Sequence, residues 1–175
     1  MENCDSRREE NFQEYLRLKQ DPHYYDVTFD EQSSGVSAIH REHCFDKQFG
    51  PFGSKRGDYE LSVSRILRSK GYVITLESEY PKGRGVKSFD AFIDGAKSEI
   101  KTVESNGRWS IRTKIQSAVR QRAELLVLYY PKKELYSELK IYEGLDLVLQ
   151  SIENANLKKI IAIVEEAVKI LKPPG

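Results

Sequence analysis

The sequence predicts an α/β fold, a mixed central sheet flanked by helices, on three observations. DYELSVSRILRSKG (58–71) sets Tyr59, Val63, Ile66 and Leu67 at helical spacing. SFDAFIDG and SEIKTV (88–95 and 98–103) alternate on either side of a turn at Gly95, as the two arms of a hairpin do. ELLVLYYP (124–131) is an unbroken apolar run of the kind buried on both faces of a sheet. With 175 residues the chain has the size of one ordinary domain.

Taken in order, residues 1–21 are highly charged, with Phe12, Tyr15, Leu16 and Leu18 as a thin apolar stripe, and predict one peripheral amphipathic helix. Residues 22–57 are rich in Gly, Ser, Asp and aromatics, and predict irregular structure with one or two short strands. The helix of 58–71 has Asp58 as N-cap and Gly71 as stop. YVITLESEY (72–80) is a β-branched strand and PKGRG (81–85) a loop; the hairpin follows, then RWSIRTKIQSAVRQRAE (108–124) as a helix, then the apolar strand. The central order is therefore α, β, β, β, α, β. From about Gly144 to Leu171, LDLVLQSIENA and LKKIIAIVEEAVKIL predict two helices broken near 154–156. The expected organisation is an N-terminal extension (1–56), a core (57–140) and a helical C-terminal appendage (141–175) in one compact unit.

Charged residues make up 31% of the chain, but 28 Lys and Arg nearly cancel 27 Asp and Glu, so net charge announces no polyanionic partner. There is no long apolar run and the N-terminus is polar, so no membrane partner is expected and the chain as given reads as soluble and cytoplasmic. Two cysteines without CxxC spacing predict neither a disulfide framework nor a zinc ribbon.

The hairpin carries the chemistry. A four-residue turn from Asp94 to Lys97 would pair Asp90 with Lys101 and Phe92 with Glu99, so that Asp90, Glu99 and Lys101 project from one face with Asp90 diagonal to Glu99. Two carboxylates so placed, with the Ile100 carbonyl as a third donor, suit Mg²⁺ or Mn²⁺, and Zn²⁺ is also admissible. A lysine beside the metal's water completes what phosphodiester hydrolysis needs. Glu60, on or beside the buried side of its helix, calls for a cation partner and joins the set. The bare spacing also fits a solvated edge strand; the surrounding element order favours the site.

Arg108, Arg112, Lys114, Arg120, Gln121 and Arg122 form a run of donors that suits either phosphate or solvent, and Gln121 within AVRQRA is the least obvious packing choice. Lys82 and Arg84 offer a phosphate clamp, while Tyr80 and Trp109 suit base stacking or rim packing. His40 and His43 have HxxH spacing, half of a metal site with Asp46 as third ligand, or else local packing.

From about Gly57 to Pro131 the chain resembles the C-terminal tRNA nuclease domain of contact-dependent growth inhibition toxins, members of the PD-(D/E)xK phosphodiesterase superfamily. The likeness rests on E-x6-L-x3-G from Glu60 to Gly71, the acidic pair after YVITLES, SFDAFIDGAKSEIKTV, and A-x-x-Q-x-A before ELLVLYYP. SGVSAIHREHCFDK (34–47) is similar to sequence near such modules at the ends of phage minor head proteins. The resemblance implies a restriction-endonuclease-like core and metal-dependent cleavage by Asp90, Glu99 and Lys101 with Glu60 in support. It implies RNA, foremost tRNA, ahead of DNA as substrate, with an immunity protein or a phage head protein as partner. A DNA endonuclease of the same fold and a non-enzymatic head-associated module are the rival expectations. Phe89 stands where the family motif has proline, which is not a ligand; Asp94, in the turn, is the less suitable first acid.

Overall fold

The computed structural model describes residues 2–80, 88–107 and 109–174, with side chains from residue 5 onward. Its elements are α1 (Glu2–Gln20), β1 (Tyr24–Phe29), β2 (Val36–His40), α2 (Arg56–Ser69), β3 (Val73–Leu76), β4 (Ala91–Ile93), β5 (Ala96–Thr102), α3 (Ser110–Arg120), β6 (Leu125–Tyr130), a 3-10 turn (Lys133–Leu135), α4 (Glu138–Ser151), β7 (Lys159–Val164) and β8 (Ala167–Leu171). The strands form one eight-stranded sheet in chain order. Pairs β2–β3, β5–β6 and β6–β7 are parallel and the other four pairings antiparallel. The mixed sheet with flanking helices is the fold class expected, and α2-β3-β4-β5-α3-β6 is the central order expected.

Strand alternation sorts the core into layers. Leu125, Val127 and Tyr129 of β6 pack with Tyr59, Val63, Ile66 and Leu67 of α2 and with Ile100 of β5. Leu126, Leu128 and Tyr130 turn to the other face, against Ile111, Ile115 and Ala118 of α3 and Ile141, Leu145 and Val148 of α4. On that same face, register puts Val36, Ala38 and Val73 under Leu18 of α1. Between α1 and α3 this face of β4 and β5 carries Asp90, Glu99 and Lys101 at alternate positions.

Four sequence expectations are corrected, the first being the cap of α2, which is Lys55 and not Asp58. The hairpin turn is two residues, Asp94 and Gly95 with φ of 46° and 80°, the left-handed pair that a right-twisted hairpin prefers. Ile93 therefore pairs with Ala96 and Ala91 with Ser98, which sets Asp90 beside Glu99 instead of opposite Lys101. Third, LKKIIAIVEEAVKIL is not a helix: it forms β7 and β8 about a turn with Glu165 at φ 58°. Ile160, Ile161, Ala162 and Ile163 are all fully buried, a continuous run that a strand covered on both faces can accommodate and a one-sided helix cannot. The preceding helix is real but begins earlier, at Glu138, because the Ser137 hydroxyl caps the Lys140 N–H at 3.3 Å.

Candidate functional site

The carboxyl ends of the parallel strands β2, β3 and β5 lie together at one end of the sheet, with the first turns of α2 beside them, the usual place for ligands in open α/β sheets. Asp90 enters this end just before β4. Its Oδ2 accepts the Ile100 N–H at 2.7 Å, extending the ladder by one side-chain bond ahead of the first residue of β4. Backbone N–H and C=O of a strand residue point to the same edge, so the Ile100 carbonyl looks toward Asp90 as well. Lys101 Nζ donates to Glu99 Oε2 at 2.8 Å and lies 3.8 Å from Asp90 Oδ2. The structure thus brings Asp90, Glu99 and Lys101 together.

Electrostatics follow from this crowding. Burial pushes Glu99 up to about 7, with the neighbouring Asp90 charge adding to the rise and Lys101 opposing it. Burial pulls Lys101 down, but Asp90 and Glu99 outweigh it and leave its pKa above the ordinary lysine value, so it is an ammonium at neutral pH and not a base. Glu99 raised in the fold contributes stability that is full below its unfolded pKa and is lost as pH rises through about 7. The metal-free protein is therefore expected to lose melting temperature between pH 5 and 8. Glu99→Gln should flatten that slope, and a slope unchanged in Glu99→Gln in calorimetry would contradict the burial of this charge.

Glu60 sits on α2, which packs on the opposite face of the sheet from that presenting Asp90 and Glu99. Its Oε2 lies 3.1 Å from His43 Nε2, and it lines one cleft with Ile100 and Lys101 of the hairpin. The link is built by Gly57: its N–H donates to the Asp46 carbonyl at 2.8 Å, and a Cβ there would stand 2.7 Å from Phe45 Cβ. Only glycine lets the loop after His43 lie flat on the first turn of α2. His43 is buried, and its Nδ1 lies 2.7 Å from the Glu77 carbonyl. Glu77 N–H in turn donates to the Asp90 carbonyl at 3.0 Å, so the end of β3 braces both groups. Glu79 completes a cluster in which donor atoms of His43, Glu60 and Glu79 lie within 4.8 Å of one another. Partial desolvation raises the pKa of the otherwise exposed Glu79 carboxyl, the charge of His43 opposes the rise, and the charges of Glu60 and Asp90 add to it.

Of the histidines expected as a pair, only His43 enters this cluster. His40 Nδ1 accepts the Glu42 N–H at 3.1 Å and its ring stacks on His23, while Asp46 accepts the Gln48 N–H. Asp94, the alternative acid, is tied to the Val73 N–H and to Arg7 in the turn. Sequence reasoning missed Glu79; its position directly after the strand was the available signal.

A cleft of about 370 Å³ opens beside Lys101, lined by Glu60, Thr102, Arg56, Glu104 and Lys114 among others. Arg56 is held by both oxygens of Glu104, at 2.9 and 3.0 Å. Burial lowers the Lys114 pKa; Glu104 opposes the fall, and the nearby charges of Lys101 and Arg56 add to it. Arg112 stacks over Trp109 at 5.1 Å on a separate cavity of about 660 Å³ between α3 and α4. Arg120 and Gln121 end α3 near Glu124, whose N–H bonds Lys97 at the start of β5. Ala118 and Ala123 of AVRQRA are fully buried, so packing explains the small residues there. Tyr80 and Trp109 are both exposed. Lys82, Arg84 and Arg108 lie outside the described residues.

Four carboxylates, one imidazole and one ammonium at the ends of the strands define an α/β protein with a candidate cation-binding cleft bordered by basic side chains. No protein-family model matches the chain, and no curated protein does. Among solved structures, a chain of the "CdiA-CT/CdiI toxin and immunity complex from Burkholderia pseudomallei" shares the fold at a TM-score of 0.51 and 20% identity, over 78% of this chain and 99% of that one. No helix among the described residues is long and apolar enough to cross a membrane.

Proposed function

We propose that this chain is a metal-dependent nuclease that hydrolyses phosphodiester bonds in RNA, foremost tRNA, as a toxin-like effector. The observation that carries the reading is Lys101 held between Asp90 and Glu99 on a stretch of sheet that the helices leave between them. The donor set fits a hard divalent ion: Asp90 and Glu99 offer oxygens on one face and the Ile100 carbonyl points to the same edge, while Glu60 lines the neighbouring cleft from α2 and adds negative charge beside them. Mg²⁺ or Mn²⁺ bound there would polarise the phosphoryl oxygen and acidify a water. The chain's own residues do the rest. Lys101, kept charged by its two carboxylates, neutralises charge developing on the phosphate and orients the attacking oxygen. Asp90 is fixed by the Ile100 N–H and cannot swing away. Arg56 and Lys114 meet substrate phosphates along the cleft, with Arg112 and Trp109 offering a stacking surface farther out.

The fold shared with a chain of a toxin and immunity complex supports the effector reading, and with it an immunity protein as partner. The test is incubation of the purified protein with total tRNA, plasmid and single-stranded DNA, each with Mg²⁺, Mn²⁺, Zn²⁺ or EDTA. Metal-dependent loss of tRNA is expected; cleavage of plasmid alone would make it a DNA endonuclease, and no cleavage in any combination would refute the proposal. Lys114→Ala is expected to raise KM and to reduce the salt slope of RNA binding by about one phosphate's share, roughly 0.7–0.9, with kcat changed much less. A Lys114→Ala enzyme with normal binding and low kcat would contradict its place as a phosphate contact.

A further inference from the structure

His43 presents a problem that its surroundings solve in only two ways. A carbonyl oxygen can only accept, so the 2.7 Å contact to Glu77 O fixes the proton of His43 on Nδ1. The neutral ring then turns the lone pair of Nε2 toward Glu60 Oε2 at 3.1 Å, acceptor against acceptor. Some cation must stand there, either a proton, held by the ring or by the Glu60 carboxyl, or a metal ion. Histidines that bind metals are commonly anchored in this way, by Nδ1–H on a backbone carbonyl with Nε2 aimed at the ion. A third donor, the carboxylate of Glu79, lies within 4.8 Å of the other two from beyond the end of β3.

We infer that His43, Glu60 and Glu79 form a metal position of their own, distinct from that of Asp90 and Glu99, which takes a divalent ion accepting mixed nitrogen and oxygen ligands, Zn²⁺ in preference to Mg²⁺. An imidazole nitrogen is a ligand that zinc accepts and magnesium seldom takes, zinc also accepts carboxylate oxygens, and three protein ligands leave a coordination position open. Charge favours the metal over the proton: a proton balances one of the two carboxylates, a divalent ion both. The spacing is near what is needed, because two ligand bonds of about 2.1 Å span at most about 4 Å, and the exposed Glu79 side chain is free to close the remainder. Glu60 lines the cleft that also holds Lys101, so an ion here would stand beside the nuclease position without sharing the hairpin acids.

This inference does not require that the chain be a nuclease, and its test keeps the two apart. The Asp90→Asn/Glu99→Gln double variant removes the hairpin acids; its binding of Zn²⁺, followed by isothermal calorimetry, and of Co²⁺, followed by visible absorption, should show one site. His43→Asn in that background keeps a side-chain donor for the Glu77 carbonyl but deletes Nε2. It should weaken Zn²⁺ by more than about a hundredfold, since losing only a second-shell partner of a metal ligand costs as much as that. Glu79→Gln, at an exposed position where folding is not at risk, should also weaken binding and change the Co²⁺ spectrum. Absence of a site in the double variant, or unchanged affinity in either His43→Asn or Glu79→Gln, overturns the assignment; the first result would leave a proton between His43 and Glu60.

Discussion

Alanine at Asp90, Glu99 or Lys101 is expected to bring RNA cleavage down to the metal-free background while the protein still folds. For Lys101 the loss in kcat should be at least about a hundred- to a thousandfold, the scale found when one preorganised group facing developing charge is removed. The case rests on what Lys101 does in the resting site: it is within 2.8 Å of Glu99 and 3.8 Å of Asp90, and both hold it charged. Stability should move differently for each residue. Asp90→Ala gives up the bond from Ile100 N–H, worth about 1 kcal/mol, but also removes an acid placed beside another acid. Glu99→Ala removes a carboxylate that is only 3% exposed and raised by burial, so the metal-free variant should melt no lower than wild type at pH 8. Single-turnover cleavage of tRNA, with circular dichroism as the folding control, decides the matter. Wild-type rates in all three variants would remove the site from the hairpin.

How much of this could be seen in the sequence depends on range. The hairpin, the helix before it and the helix and strand after it are local patterns of period 2 or 3.6, and each appears where its pattern lies. The register differs from the expected one by the length of the turn, because Asp94-Gly95 closes the hairpin alone, as the preferred two-residue Asp-Gly pair, and not within a four-residue loop. That difference changes which residue faces which, yet it moves pairing by an even step, so Asp90, Glu99 and Lys101 stay on one face. LKKIIAIVEEAVKIL failed for a different reason. Its apolar residues satisfy helical spacing as well as a buried strand, and only the β-branched Ile and Val and the parallel partner β6 decide for the strand.

The site divides in the same way. Asp90, Glu99 and Lys101 lie within twelve consecutive residues of one hairpin and could be found by spacing. His43 and Glu60 are joined across a loop with no period, through the contact at Gly57, and Glu79 comes to them from the end of a third element. HxxH spacing pointed to His43, whose neighbours here are Glu60 and Glu79, while the His40 ring stacks on His23 and Asp46 accepts the Gln48 N–H. Spacing along one element can propose ligands; only the approach of separate elements selects them.

That approach is what Gly35 controls, and Gly35→Ala is expected to be among the most destabilising single substitutions in the chain. A Cβ on Gly35 would stand 1.9 Å from the Arg68 carbonyl oxygen and 2.7 Å from its carbon, both backbone atoms that cannot swing aside as a side chain would. The contact is locked by its neighbours: Ser33 Oγ donates to the same Arg68 oxygen at 2.6 Å, and Arg68 Nη1 donates to Ser37 Oγ at 2.7 Å. Relief requires moving the carboxyl end of α2 off β2, at a cost of about 3 kcal/mol or more, the upper range for overpacking a tight interior. Urea unfolding should show the midpoint fall by the corresponding amount with the m-value unchanged. The displacement should also be felt at the other end of α2, where Glu60 meets His43, while Lys101 and its two carboxylates, carried by β4 and β5, keep their arrangement. In the fraction that remains folded at low temperature, Zn²⁺ affinity should therefore fall more than Mg²⁺-supported cleavage. A midpoint equal to wild type would mean that β2 and α2 do not approach as closely as the backbone at Gly35 requires.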